Sequence, residues 1–449
     1  MVCAFLPQTG LLLPFAAFFV PALLWLLFGK NSRGYGVCLL LGALAGLLLT
    51  AHTRQKLDRV HTAYADREVT LTAEVEEVSA SYYPGVVHAV LRVEPTDGEK
   101  TAFRMECVCM PKCTAGERVQ ARFALEVPAR TQQLSSYADG IALSGEYLSG
   151  MKHLGPSESF RAKTARLQRR LSAALRKGMA QGPAGVLAAM VLGDRTHLSK
   201  DLRSAYRAAG LSHVLVVSGM HVSILCGSVF AKYLPEKKKR ERGYASRRRQ
   251  ALFSAAMALL LAGVTGLTPS VLRAATAVWV SALGVWVYGP PDALTSLGVA
   301  GVWMTLGNSY AVCDIGFELS FAAVLGTLAG AELARKSRRF PLLRNSVWET
   351  LCVSACASAA TFPVLVLRGL SASLYALVSS VAVLWLVEPI LQLGLVTALF
   401  GCWPALAPMH RVCSLCAATL AGCLNRWALW VSGWPGAQIW FDTAYAAVV

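Results

Sequence analysis

The sequence predicts a polytopic α-helical membrane protein that carries a small exported β-barrel domain. Three observations predict this fold class. The chain of 449 residues is 55% hydrophobic and only 15% charged. Its mean hydropathy is +0.47, which is too apolar for an ordinary soluble enzyme. Long apolar windows recur along the chain, and one polar region with strand periodicity interrupts them.

The apolar windows are long enough, or nearly long enough, to cross a bilayer, which takes about 20 residues. Several are borderline, so we expect about nine to eleven spans or partial spans. Around Glu388 and Pro389 the pattern leaves open two short spans or one kinked span. The windows lie at 5–28, 34–51, 211–231, 250–267, 271–288, 293–307, 315–332, 347–367, 372–387, 389–407 and 411–433.

The windows and the polar region divide the chain into four predicted parts. Residues 1–51 form two N-terminal transmembrane helices. Residues 52–155 form an exported OB-like β domain, and 156–210 form a basic amphipathic helix with short helices after it. Residues 211–449 form the main transmembrane domain.

Residues 52–155 show the alternation of apolar and polar side chains that predicts β-strands. In AFRMECVCM, the side chains of Phe103, Met105, Cys107 and Cys109 share one face. VTLTAEVEEV, VVHAVLRVEP and RVQARFALEV alternate in the same way, and a shorter run, GIALSGEYL, ends the set. Five short strands with one wet face predict a small antiparallel barrel, for which the OB-fold is the natural candidate.

No cofactor or metal is expected. The segment CVCMPKC places Cys107, Cys109 and Cys113 close together, and they could form one disulfide or be ordinary strand residues. We favour strand residues, because a fourth zinc ligand is missing. The chain has no GxxxxGK[ST] motif and no HExxH or HxHxDH-type cluster. It therefore has no recognisable ATPase or nuclease centre, and we expect it not to be an enzyme.

The net charge of +17 fits either membrane orientation or attraction for a polyanion. Basic residues cluster at Lys30 and Arg33, at 236–249 and at 334–344. If these loops face the cytoplasm, the N-terminus and the barrel lie outside. The helix predicted at 158–179 is basic and amphipathic, so it either lies on anionic lipid headgroups, the reading we favour, or forms a cationic collar at a pore mouth.

Several polar residues interrupt the apolar segments, where an ionisable group needs a partner or a wet cavity. Ser218 and His221 are three residues apart and would share one helix face. Arg273 could pair with Asp314 or Glu318. These residues either serve helix packing or line a functional path. The full set is Asp194, Arg195, His213, Ser218, Gly219, His221, Arg273, Asp314, Glu318 and Ser320.

Three of these segments together resemble the ComEC competence-protein family. They are AMVLGDRTHLSKDLRSAYRAAGLSHVLVVSGMHVSIL at 189–225, GLTPSVLRAATAVWV and DIGFELSFAAVLG. Their order, after two spans and an OB-like domain, is the order that the family has. The sequence differs at Glu318, where the family usually carries glutamine. The resemblance identifies 211–449 as a competence-type transmembrane channel domain.

The resemblance implies an inner-membrane channel that takes up transforming DNA as a single strand. It also implies a DNA receptor, a cytoplasmic motor ATPase and a homo-oligomeric state as open expectations, with membrane lipids around the spans. Family members often end in a metallo-β-lactamase-like domain. This sequence carries no such motif before Val449, so we expect a separate nuclease.

An OB-like barrel in such a protein is expected to stack bases on aromatic rings and hold phosphates with arginines. The candidate residues are Tyr82, Tyr83, Arg92, Phe103, Arg104 and Arg122. Two alternative functions stay open. One is a non-competence paralogue that transports another solute. The other is an intramembrane hydrolase with Ser218 as nucleophile and a histidine base.

Overall fold

The structure is a computed structural model, and it separates into two compact units. The first is Met1–Ser157 with Gly301–Phe317, and the second is Glu158–Ala300 with Glu318–Val449. The residues it describes are 33–80, 85–94, 102–217, 221–222, 224–225, 244–266, 269–287, 293–336 and 345–440.

A closed five-stranded barrel forms most of the first unit. Its strands are ordered β1-β2-β3-β5-β4 around the barrel. The β3–β5 pair is parallel and the other pairs are antiparallel. This confirms the predicted OB-like barrel. The strands are β1 (Arg67–Ala80), β2 (Val86–Val93), β3 (Phe103–Pro111), β4 (Glu117–Glu126) and β5 (Ile141–Pro156).

The barrel core consists of the alternating apolar side chains, with one departure in β3. Phe103, Met105 and Cys107 are buried as predicted, but Cys109 is exposed and Met110 is buried instead. The β2–β3 pairing shifts register between Val87 and Ala89. Such a bulge adds one residue to a strand and reverses the side-chain alternation beyond it.

The cysteines of the barrel are free thiols. Cys107 and Cys113 are buried and Cys109 is exposed, which confirms the reading as ordinary residues of the strand region. Burial raises the pKa of Cys107 and of Cys113 to about 11. Both thiols are therefore protonated at neutral pH, and the barrel is held together by packing rather than by a disulfide.

Helix α1 (Arg33–Tyr64) continues well past the predicted span at 34–51. The extension is polar in sequence, but Leu57, Val60 and Tyr64 pack on the barrel core. His61 Nε2 also lies 3.0 Å from the carbonyl oxygen of Ala142 in β5. These tertiary contacts stabilise the polar extension of the helix against the β domain. The unit also contains α2 (Gln133–Ala138) and a 3₁₀ turn at Ser309–Cys313 that packs on it.

The second unit is helical. Five segments of the described chain are long and apolar enough to cross a membrane: Ser270–Val287, Ile315–Lys336, Trp348–Leu367, Ala376–Phe400 and Pro404–Ser432. The predicted window 5–28 lies outside the described residues, and so do 218–220, 223 and 226–231 of the window 211–231. The helices that follow the barrel are α3 (Phe160–Arg176), α4 (Gln181–Leu192), α5 (Lys200–Ala208), α6 (Tyr244–Val264), α7 (Pro269–Val287), α8 (Ala293–Gly307), α9 (Ile315–Lys336), α10 (Asn345–Leu367), α11 (Ala376–Phe400) and α12 (Ala407–Ser432).

One boundary prediction is resolved by the structure. The windows 372–387 and 389–407 merge into the single helix α11, with Pro389 inside it. A proline removes one backbone donor and leaves the rest of the ladder available. The α11 helix contains Glu388 and runs through the predicted junction without a break.

The basic helix α3 forms where the amphipathic pattern predicted it. Ser159 caps its N-terminus by accepting a hydrogen bond from the Ala162 backbone N–H at 3.0 Å. Its buried residues include Ser172 and Leu175, and it packs against α4, α6 and α11. One face of α3 therefore belongs to the helical core, and its role at a lipid surface or a pore mouth stays a prediction.

Candidate functional site

The side chain of Asp194, which follows the end of α4, makes a hydrogen bond with α3. Helix α4 ends at Gly193, whose φ of 72° is a left-handed conformation that glycine adopts without strain. The Asp194 carboxylate accepts hydrogen bonds from Ser172 Oγ at 2.5 Å and from the Thr196 hydroxyl and backbone N–H at 2.5 and 3.1 Å. All of these contacts are internal, so Asp194 positions the segment after α4. Arg195 beside it is exposed.

The two histidines of the segment after α5 differ in exposure. His213, in a 3₁₀ turn at Ser212–Val214, is exposed together with Ser212, whereas Leu211 and Val214 on either side are buried. His221 is fully buried. Ser218 and Gly219, the other candidates here, lie outside the described residues.

Glu318 is part of a buried ion pair with a residue that the sequence analysis missed. Arg368 Nε and Nη2 donate to the two carboxylate oxygens of Glu318 at 3.0 and 2.6 Å. The side chains are only 7% exposed for Glu318 and 14% for Arg368. The prediction that Arg273 pairs with Glu318 is therefore wrong. The missed signal was Arg368 itself, a lone cation at the end of an apolar window.

Asp314 is not the partner of Arg273 either. Its Oδ2 accepts a hydrogen bond from the Phe317 backbone N–H at 2.8 Å, at the start of α9. A carboxylate at a helix N-terminus satisfies a free backbone donor and favours the helix dipole. The short polar side chain therefore begins the helix, which explains its position at the edge of an apolar window.

Arg273 has a different environment from Arg368. Its Nε donates to the hydroxyl of Ser320 on α9 at 2.5 Å. A charge in the membrane interior costs about 2.5–3.5 kcal/mol even on the most lenient scale. Arg273 also lines a cavity of about 240 Å³. The other lining residues are Ala277, Ser281, Ala293, Ser296, Leu297 and Val324.

The barrel residues proposed to contact nucleic acid have unequal environments. Phe103 is a core residue, 5% exposed, with its ring 4.9 Å from that of Tyr64. The prediction that it stacks a base is therefore wrong for this conformation. Arg104 donates to Glu76 Oε2 at 2.7 Å and to the Asp139 carbonyl, so it is held within the barrel unit.

The remaining barrel candidates lie on the surface or outside the described residues. Arg92 is exposed. Arg122 is also exposed and forms a surface pair with Glu68 at 2.8 Å. Tyr82 and Tyr83 lie outside the described residues. Arg92 and Arg122 are thus the described candidates whose guanidinium groups face solvent.

A chain of polar side chains that sequence reasoning missed crosses three strands of the barrel. Ser79 Oγ lies 3.1 Å from His88 Nδ1, and His88 Nε2 lies 2.5 Å from Glu106 Oε1. The hydrogen bond to Glu106 raises the pKa of His88, and the same bond lowers the pKa of Glu106. The group lies on the barrel surface, where cross-strand polar neighbours commonly stabilise a sheet.

Within the described ranges no group of three or more His, Cys, Asp or Glu side chains could hold a metal ion.

The helical unit also contains a buried neutral contact, in which the Tyr206 hydroxyl donates to Asn425 Oδ1 at 2.8 Å. This bond ties α5 to α12.

Comparisons with known proteins agree with the resemblance in the sequence. Residues 190–449 match the family model described as Competence protein. The chain is 24% identical over 218 residues to ComE operon protein 3 of Bacillus subtilis (strain 168). That alignment covers 49% of this chain and 26% of the relative. No solved structure matches the chain.

Proposed function

The chain belongs to the competence protein family, and on that premise we propose that it is a membrane channel that takes up transforming DNA as a single strand. The observation that carries the proposal is the extent of the family match. Residues 190–449 include all five segments of the described chain that are long and apolar enough to cross a membrane. The helical unit is therefore the part in which the proposed function resides.

The physical chemistry of the cargo supports a protein-lined route. DNA carries one negative charge per phosphate, so its strand needs polar or cationic surroundings to cross hydrocarbon. Arg273 provides a guanidinium group within a candidate span. The closed barrel has the fold type that commonly binds single strands through a basic surface and stacked bases. We propose Arg92 and Arg122 as its phosphate contacts.

We propose a multi-pass position in the inner membrane, with the N-terminus and the barrel outside. The basic loops at 236–249 and 334–344 support this orientation by the positive-inside rule. The partners proposed are a DNA receptor, a cytoplasmic motor ATPase and a separate nuclease. The channel itself is proposed to have no enzymatic activity.

The direct test is uptake of a labelled single strand by vesicles that contain only this protein. Strand that becomes resistant to added nuclease measures transport, and empty vesicles give the background. An ion gradient imposed across the vesicle membrane provides a driving force for transport. We expect protection above background. Accumulation of a labelled neutral solute inside the vesicles, with no DNA strand protected from nuclease, would favour the alternative of a solute transporter.

A genetic test uses His221, the buried histidine of the family-like segment. We expect His221→Ala to abolish transformation while the protein remains inserted in the membrane. His221→Gln keeps a polar side chain and controls for loss of folding. Normal transformation by both variants would contradict a role of His221 in transport. Labelling of Ser218 by a serine-reactive probe would instead support the intramembrane hydrolase.

A further inference from the structure

Arg273 is an intramembrane cation without a carboxylate partner among the described residues. One of its donors, Nε, is used by Ser320. Its two terminal amino groups make no hydrogen bond to any residue that the structure describes. An arginine does not lose its proton in a protein. The charge therefore remains, and water or a bound anion can compensate it.

The cavity beside Arg273 is large enough for a phosphate group but too small for a nucleotide. Its volume is about 240 Å³, below the range of roughly 300–1,000 Å³ typical of sites for drug-sized ligands. At about 30 Å³ per water, it could hold about eight waters. A phosphate group fits such a space, whereas a whole nucleotide with its base does not.

The lining of the cavity suits an anion. The hydroxyl of Ser281 can donate a hydrogen bond, Ser296 adds a second polar side chain, and the other lining residues are apolar apart from Arg273. None of the described lining residues carries a carboxylate that would repel a negative charge. A guanidinium has a planar fork of donors that matches two phosphate oxygens. Ser320 holds this fork in place through the bond to Nε.

We propose that the cavity between α7, α8 and α9 is a phosphate-binding site, with Arg273 as its cationic ligand and Ser320 as the residue that positions it. The inference rests on the proposed function for its preferred ligand, a phosphodiester group of the passing strand. The phosphate of a lipid headgroup has the same chemistry. The contrast with Arg368 supports the proposal, because that guanidinium already binds a carboxylate of the chain.

The test measures binding to the purified full chain in a maltoside detergent, which contains no phosphate. One probe is a fluorescent thymidine 12-mer with phosphodiester links, and its counterpart has a neutral methylphosphonate backbone. Arg273→Gln removes the charge, and Arg273→Lys keeps a charge without the fork. Arg335→Gln is the matched control, because Arg335 lies on α9 but is exposed in a surface pair with Glu332.

We expect Arg273→Gln to weaken binding of the phosphodiester strand about tenfold or more, as loss of a charged hydrogen-bond pair would. Arg273→Lys should fall between the wild type and Arg273→Gln. Arg335→Gln should change the affinity less than about twofold, since a surface pair contributes little. The neutral strand should bind weakly to all four proteins. Gel filtration and a thermal melt verify that each variant is folded.

Lipid phosphorus, measured on the same purified samples, identifies the source of the phosphate. Loss of about one bound phosphorus per chain in Arg273→Gln, with unchanged strand affinity, would assign the site to a lipid headgroup and overturn the strand as its ligand. If strand affinity and bound phosphorus are both unchanged in Arg273→Gln, the site does not exist. These outcomes are independent of vesicle uptake. If the wild type fails to transport the strand but still binds phosphate through Arg273, the proposed channel function is refuted and the proposed phosphate site is not.

Discussion

One ion pair of the barrel and one ion pair of the helical unit lie in opposite environments. In the barrel, Arg122 and Glu68 pair on the surface, and both side chains are more than half exposed. In the helical unit, Arg368 and Glu318 pair in the interior. A surface pair contributes little because water solvates both charges. A buried pair depends on both partners, since either one alone is an uncompensated charge. The same chemical contact is therefore optional in the Arg122–Glu68 pair and obligatory in the Arg368–Glu318 pair.

The largest expected effect comes from breaking the buried pair. We expect Glu318→Leu to lower the free energy of unfolding by about 3–5 kcal/mol, because Arg368 would stay charged without its partner. Unfolding can be followed by tryptophan fluorescence during titration of mixed micelles with SDS. Glu68→Leu in the barrel is the matched control, with an expected loss of less than about 1 kcal/mol.

The double variant Glu318→Leu with Arg368→Leu sharpens this comparison. Replacing both members of a buried ion pair by apolar residues is often neutral. We therefore expect the double variant to be more stable than Glu318→Leu alone. Equal losses in the two variants would indicate that the negative charge of Glu318, rather than the orphaned Arg368, determines stability.

An intermediate effect is expected at the contact between α9 and α10. A Cβ atom at Gly326 would lie 2.6 Å from the Cys356 carbonyl oxygen and 2.7 Å from Ala357 Cα. Both neighbours are backbone atoms, so the helices must separate. We expect Gly326→Ala to cost about 1–3 kcal/mol in the same SDS titration.

Gly298→Ala on α8 is the control for this substitution. No described atom lies within 4 Å of a Cβ built at Gly298, and alanine favours a helix over glycine by about 0.5–1 kcal/mol. We expect this variant to be as stable as the wild type or more stable. Equal destabilisation by both substitutions would mean that helix propensity, not the close contact, explains the loss.

The smallest effect is expected on the barrel surface, and it depends on pH. His88 has a raised pKa, so its stabilising contribution is complete below its ordinary value of 6.5 and is lost as pH rises through the folded-state value. Glu106 has a lowered pKa, so its contribution is complete above 4.5 and is lost as pH falls through the folded-state value. The pair therefore stabilises most between these two ordinary values.

The test is the difference in stability between the wild type and His88→Gln at pH 5.5 and pH 9. Since both side chains are about one-third exposed, we expect a difference of about 0.2–1 kcal/mol at the lower pH. At pH 9 it should be smaller, because the histidine is neutral there. A difference that grows with pH would contradict the ion-pair account.

The barrel was largely predictable because each strand carries its own alternating pattern. Val119, Ala121, Phe123 and Leu125 of β4 are all buried, as the pattern predicts. The exception, Cys109, depends on a bulge in the pairing with β2. Such a shift is a property of two strands together, so no single-strand pattern contains it.

The helical unit was predictable in its apolar segments but not in its pairings. Gly326 and Gly330 are four residues apart, a motif that predicts close helix packing, and a Cβ atom at either glycine would meet the α10 backbone. The similar motif at Gly42 and Gly46 has no described neighbour within 4 Å. For charges the sequence was less informative, because spacing along one chain does not specify which helices adjoin. Glu318 therefore pairs with Arg368, not Arg273.

Helix α1 has a mechanical consequence for any motion of the first unit. Its 32 residues make a rod about 48 Å long, longer than the hydrocarbon core of a bilayer at about 30 Å. No proline or loop interrupts it, and Val60 near its end is anchored in the barrel core. A sharp kink in such a helix would disrupt backbone hydrogen bonds, which a gentle curve does not. A change in the tilt of the apolar end of α1 would therefore also move the barrel.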